Sequence, residues 1–164
     1  MKRTPRIAFL CAAFTAAATM TAQAHVVVFP SDLVTTAPAC GVLKFVVRVP
    51  TEKPIPTTGL RLRIPANVTV IAVAPMLPWH ADFETSKGRI VASAWSGGKI
   101  MPREFEEFAF LAAAPKKIGT VNWDARQTYQ DGSTVAWTGS PQSDNPHSQT
   151  VFTAPRGACG RPPR

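Results

Sequence analysis

Ala22-Gln23-Ala24 forms a small-x-small cleavage pattern with a histidine directly behind it, and a cut there makes His25 the first residue of the mature chain. An amino-terminal histidine presents its α-amine and its own imidazole Nδ1 to one ion as a closed chelate ring, provided both nitrogens are deprotonated. With α-amino groups titrating at roughly 7.7 to 8.0 and imidazoles at about 6.5, a divalent metal meets little proton competition near neutrality. The competing reading is that signal cleavage merely leaves a histidine there. Other residues able to do chemistry are scattered. His80 and His147 neighbour prolines in expected loops, and Met76 and Met101 are soft donors that otherwise serve as filler. Glu104, Glu106 and Glu107 form an acidic cluster without a distant partner, which reads as a solvated turn rather than a glycosidase pair. The chain has no Gly-x-Ser-x-Gly elbow, no His-Glu-x-x-His and no phosphate-cradling glycine loop.

A metal-binding terminus requires export, and the first 24 residues supply the pattern for it. Lys2, Arg3 and Arg6 form a basic region ahead of the apolar run 7–18, too short for a membrane span. No later stretch is long and apolar enough to span either, so the expected location is secreted, in the periplasm. Cys11 raises the lipoprotein alternative, but Leu10 stands where lipid attachment calls for a small residue. Loss of the leader removes three of the 18 Lys and Arg residues and none of the 10 acids, leaving 15 against 10, a net charge of +5. Arg156, Arg161 and Arg164 lie in the tail, and no basic run is interleaved with aromatics, which argues against a nucleic-acid partner. Cys40 and Cys159 remain, and an even pair in an oxidising compartment reads as a disulfide, with a thiolate metal site as the alternative. The mature length suits one domain with one core.

The elements that must position His25 are short strands. Sixteen prolines and ten glycines are spread along the chain, and no segment keeps a helical period with caps. Residues 25–29 read as a strand beginning at the mature terminus and stopped by Pro30-Ser31-Asp32. Strands follow over 42–49, 60–64, 68–73 and 89–95, the last closed by Ser96-Gly97-Gly98. Leu60, Leu62 and Ile64 should face a core, with Arg61 and Arg63 in water. Residues 75–80 read as a turn or extended loop, and 104–111 as a turn or bulge running into a strand. Asp131-Gly132 predicts a two-residue hairpin turn inside 121–138. That register sets Trp137 opposite Arg126, with Asp124 and Thr128 on the diagonals and Trp123, Ala125, Gln127 and Tyr129 on the other face. A last strand covers 150–153, and 156–164 form a loose basic tail. About seven short strands make an immunoglobulin-like, all-β sandwich the most economical architecture.

The motif order His25-Val26-Val27-Val28, Arg48-Val49-Pro50, Leu62-Arg63-Ile64-Pro65, Pro78-Trp79, Trp95-Ser96-Gly97-Gly98, Glu107-Phe108-Ala109-Phe110, and Trp123 through Asp131-Gly132-Ser133 to Trp137 resembles the YcnI-like family of exported copper-binding proteins. The resemblance covers most of the expected mature domain, 25–155. It implies a β-sandwich that holds Cu(II) at its amino terminus in a monohistidine brace of terminal amine, imidazole and a glutamate, with a tryptophan against the site. The histidine carries over to His25 and the tryptophan to Trp137. Counting back from Arg48-Val49-Pro50, Leu43 stands where the glutamate is expected. Cu(II) favours tetragonal nitrogen and oxygen ligands, so a substitute carboxylate is sought. Asp124 comes first, from its expected place on the face of Trp137, and Asp32 second. Trp137 would act by stacking or by limiting water access, and Trp79, Trp95 and Trp123 are expected in the core.

The function expected on these grounds is copper binding through the mature terminus, in sequestration, delivery or tolerance, with another copper-handling protein as a possible partner and no enzymatic activity. Two alternatives stand beside it. If His80 or His147 joins His25, the result is a fuller histidine brace of the kind found in copper oxidoreductases that cleave polysaccharides. If no metal binds, the sandwich is an interaction module for a protein or glycan.

Overall fold

The computed structural model describes residues 25–30, 34–157 and 159; the leader and Asp32 lie outside the described residues. In chain order the strands are β1 (Val27–Pro30), β2 (Thr36–Pro38), β3 (Val42–Pro50), β4 (Thr57–Arg63), β5 (Thr69–Val73), β6 (His80–Ser86), β7 (Arg89–Ile100), β8 (Phe105–Ala113), β9 (Gly119–Trp123), β10 (Ala125–Tyr129), β11 (Thr134–Trp137) and β12 (Ser148–Thr153). Among the described residues no helix is long and apolar enough to cross a membrane.

Period-two alternation builds the layers. Leu60, Leu62 and Ile64 are buried while Arg61 and Arg63 face water, and Phe45, Val47 and Val49 point inward from β3. The strands form a four-stranded sheet β1-β3-β8-β5, a five-stranded sheet β11-β10-β4-β7-β6 and a smaller sheet β2-β12-β9. Between the first two sheets, Phe108 of β8 packs 5.0 Å from the ring of Trp95 on β7 and 5.1 Å, edge-on, from that of Trp79. Phe45 stacks on Phe110 at 5.3 Å and meets Trp123 of β9 at the same distance. Trp79, Trp95 and Trp123 are therefore core residues, as their sequence context suggests. Such ring pairs add about 0.5 to 1.5 kcal/mol each beyond the area they bury.

The glycine pair at 97–98 and the hairpin register are among the features that depart from the sequence reading. Gly97 and Gly98 do not end a strand: β7 runs through them to Ile100, with Gly97 at a positive φ of 86° and Gly98 lying flat against Trp79, whose indole occupies the space a Cβ would need. The pairing of β4 with β7 shifts register at this point, so the glycines carry a bulge and a close approach. The hairpin register also differs. Ala125 pairs with Trp137, Gln127 with Val135 and Thr128 with Thr134, closed by Tyr129 N donating to Ser133 O at 2.9 Å. The loop is the three residues 130–132, with Gly132 at φ 79°, the three-residue alternative to a two-residue primed turn. Asp131 Oδ1 accepts the Ser133 amide at 2.9 Å, and the Ser133 hydroxyl and amide hold the Asp131 carboxyl below its ordinary range.

The cysteine pair is a disulfide, Cys40 to Cys159, with Cα atoms 5.5 Å apart and a sequence separation of 119. It ties the chain just after β2 to the tail beyond β12. Around it, Ala39 N donates to Thr153 O and Cys40 N to Pro115 O, each at 2.9 Å.

Candidate metal centre

His25 stands two residues before β1, partly exposed, at an open cleft of about 310 Å³. Its ring lies 5.4 Å from that of Trp137, tilted by 53°. The register explains the meeting. With Trp137 opposite Ala125, its side chain points into the sandwich and is 2% exposed. The indole N–H donates to Gln127 Oε1 at 3.1 Å, and the Gln127 amide donates to Thr57 Oγ1 at 2.7 Å and Pro50 O at 2.8 Å. Thr51 Oγ1 joins Thr57 Oγ1 at 2.9 Å and donates to Ile100 O at 3.1 Å. No buried side-chain polar atom among the described residues lacks a partner, so this polar inlay fixes the indole rather than loosening it. Gln127 was placed by sequence on the opposite face from Trp137; the three-residue loop brings the two together.

Gln127→Leu should expose the cost of that inlay. It strands the Trp137 N–H and removes the donors to Pro50 O and Thr57, for an expected loss of about 2 to 4 kcal/mol. Urea unfolding measures it, and a loss below about 0.5 kcal/mol would mean the network does not hold the indole.

The same register removes the case for Asp124. A one-residue slip moves a whole strand's side chains to the other face. Asp124 thus lies on the outer side of the five-stranded sheet, where its Oδ2 sits 3.4 Å from Arg63 Nη1, and it lines two other clefts with arginines. It does not line the cleft of His25. Leu43 is likewise remote. Antiparallel β1 and β3 pair Val27 with Arg48 and Pro30 with Phe45, so moving back along β3 to position 43 moves away from His25, by roughly 20 Å at strand spacing. Leu43 packs against the core instead. His80 is also elsewhere, on β6, with Nε2 3.3 Å from Asp82 Oδ1 and beside Met76 in another cleft. Met101 is exposed ahead of β8.

His147, by contrast, lines the cleft of His25. Among the described residues no three His, Cys, Asp or Glu side chains gather at one point, so a metal held here would depend on the α-amine that cleavage before His25 creates. The imidazoles of His25 and His147 open on this cleft, and imidazole suits a transition ion that takes nitrogen. Trp137 has no in-plane lone pair, and its part would be to wall one side of the site and limit water there.

The profile described as a domain of unknown function, DUF1775, matches residues 25–153. The chain belongs to this family, and the YcnI-like resemblance of its motifs holds. The copper-binding protein CutI of Bacillus subtilis (strain 168) is 35% identical over 138 residues, which is 83% of this chain and 66% of CutI, so the chain spans just under two thirds of that relative. A crystal structure of an uncharacterized protein from Nocardia farcinica, reported to have an immunoglobulin-like fold, superposes with a TM-score of 0.67 at 26% identity, covering 79% of this chain and 99% of that one. The all-β sandwich is therefore immunoglobulin-like.

Proposed function

We propose that the protein is exported, cleaved before His25, and binds Cu(II) through the His25 α-amine and Nδ1, acting in copper sequestration, delivery or tolerance in the periplasm. The observation that carries this is the His25 ring held 5.4 Å from the buried Trp137 ring at an open cleft. A relative named for copper binding and a family match that starts at residue 25 support it. His25 needs no partner strand to present its nitrogens, since it precedes β1 at the rim of the sandwich. The open cleft suits loading and release of an ion, and another copper-handling protein is the natural exchange partner. Copper would supply only its own coordination chemistry; Trp137 and the inlay behind it hold the wall against which the ion sits.

Mass spectrometry of the secreted protein tests the reading at its root: a mature chain beginning at His25 is expected, and a terminus elsewhere would remove the chelate. Binding should also weaken in acid, because a metal takes only deprotonated nitrogens. Protons compete for both nitrogens, so acid favours the free protein. Cu(II) quenching of tryptophan fluorescence follows this, and a flat profile would count against amine ligation.

A further inference from the structure

We infer that the outward face of the sheet β1-β3-β8-β5 is a contact between two copies of this chain, packed face to face about a two-fold axis that runs along the strands between β3 and β8. The face is apolar for a surface. Val42, Ile71, Leu111 and Phe105 are 43 to 58% exposed there, and Phe29, Val46 and Ala109 between them are only partly buried. A contiguous exposed patch of this kind marks an association surface.

A second copy is the occupant because the face is complementary to itself. The axis sets each β3 over the other copy's β8 at the same height, so pairs across the β3–β8 ladder become pairs across the interface. Val46 is paired with Ala109, and Val42 with Ala113. Each valine therefore stands over an alanine of the other copy. Phe29, opposite Val46 on β1, stands over the β5 edge, where the chain is again small at Ala72 and Ala74.

The charges select the same axis. Lys44, Arg48 and Glu107 are the charged residues at these outward positions. Arg48 lies between the rings of Phe29 and Phe105, its guanidinium carbon 5.3 and 5.0 Å from their centroids, and its Nη2 is 2.6 Å from Glu107 Oε1. Because Arg48 is paired with Glu107 across the ladder, the axis sets Arg48 of each copy over Glu107 of the other. Four charges then alternate in sign around a square. An axis across the strands at Val46 would instead set Lys44 over Arg48, like against like. At strand spacings of about 4.8 Å and a rise of about 3.3 Å, the four strands cover roughly 400 Å² in flat projection. The side chains standing on them raise the accessible area toward the ~800 Å² per partner of a stable pair. The cleft of His25 is lined by none of β3, β5 and β8, so pairing leaves it open.

Sedimentation velocity of the metal-free protein beginning at His25, from micromolar to millimolar concentration, tests the contact. The unsubstituted chain should sediment at twice its own mass. Val46→Glu and Ala109→Lys each set an unpaired charge against an apolar side chain of the other copy, and each should weaken pairing by about 100-fold or more. An equimolar mixture of the two should recover the doubled mass, because the introduced acid and base meet across the axis. Circular dichroism matching the parent's shows that both variants fold, as expected for outward positions. Single chains at every concentration of the unsubstituted protein would overturn the inference and give the face to another partner. Doubled mass in either variant alone would place the contact elsewhere, and a mixture that stays single would overturn the axis. Both variants should bind copper as the parent does, so the copper reading and the pairing stand or fall separately.

Discussion

His25→Ala, in protein processed to the same terminus, should lose Cu(II) affinity by more than about 100-fold, beyond the roughly 10- to 100-fold that follows loss of a supporting hydrogen bond. The substitution removes the imidazole and opens the chelate, leaving an ordinary amine that cannot hold the ion alone. Stability should hardly move. The His25 side chain is partly exposed ahead of β1, and its recorded partner is the face of Trp137, so the change should stay within about 0.5 kcal/mol. A competition titration against a chelator, with thermal unfolding beside it, separates the two effects. Equal loss of affinity and of fold would mean that the residue is structural.

The second large effect is expected at the disulfide. Joining Cys40 to Cys159 closes a loop that holds nearly the whole domain, and in the chain-entropy model such a closure is worth about 4 to 5 kcal/mol. Cys40→Ser with Cys159→Ser should therefore lower the melting temperature by roughly 15 °C. Copper affinity measured well below that temperature should persist. The bridge lies beyond β2 and β12, whereas His147 and Ser148 open β12 at its other end and are held to β1 and Gly139 by their own hydrogen bonds. A shift of only a few degrees would show that the Ala39 and Cys40 backbone bonds already anchor this corner.

The parts of this fold that alternate were legible in the sequence. Leu60, Leu62 and Ile64 buried as their spacing demands, and the two cysteines met as an even pair should. The proximity of His25 and Trp137 came from the family resemblance, and the structure places the rings together. Asp131-Gly132 was less decisive, because that dipeptide satisfies a primed two-residue turn and a three-residue loop ending in a left-handed glycine equally well. The choice between them decides which face holds Gln127 and which holds Asp124. Strand β6 escaped notice because almost all of it is exposed and so lacks the alternation that marks a half-buried strand. Strands β9 and β10 read as one segment, yet the chain changes sheets at Asp124, where the backbone carbonyl accepts the Arg63 amide at 2.9 Å. Leu43 and His147 share a different lesson. Distance from His25 depends on antiparallel pairing and on a long return through 138–147, neither of which is counted along the chain.

Calorimetric titration of Cu(II) into two proteins, one beginning at His25 and one retaining Ala24 ahead of it, tests the central claim most directly. The account predicts tight binding of a single ion by the first, and affinity weaker by more than about 100-fold for the second, whose His25 nitrogen is an amide rather than an amine. Equal affinity in both would contradict it.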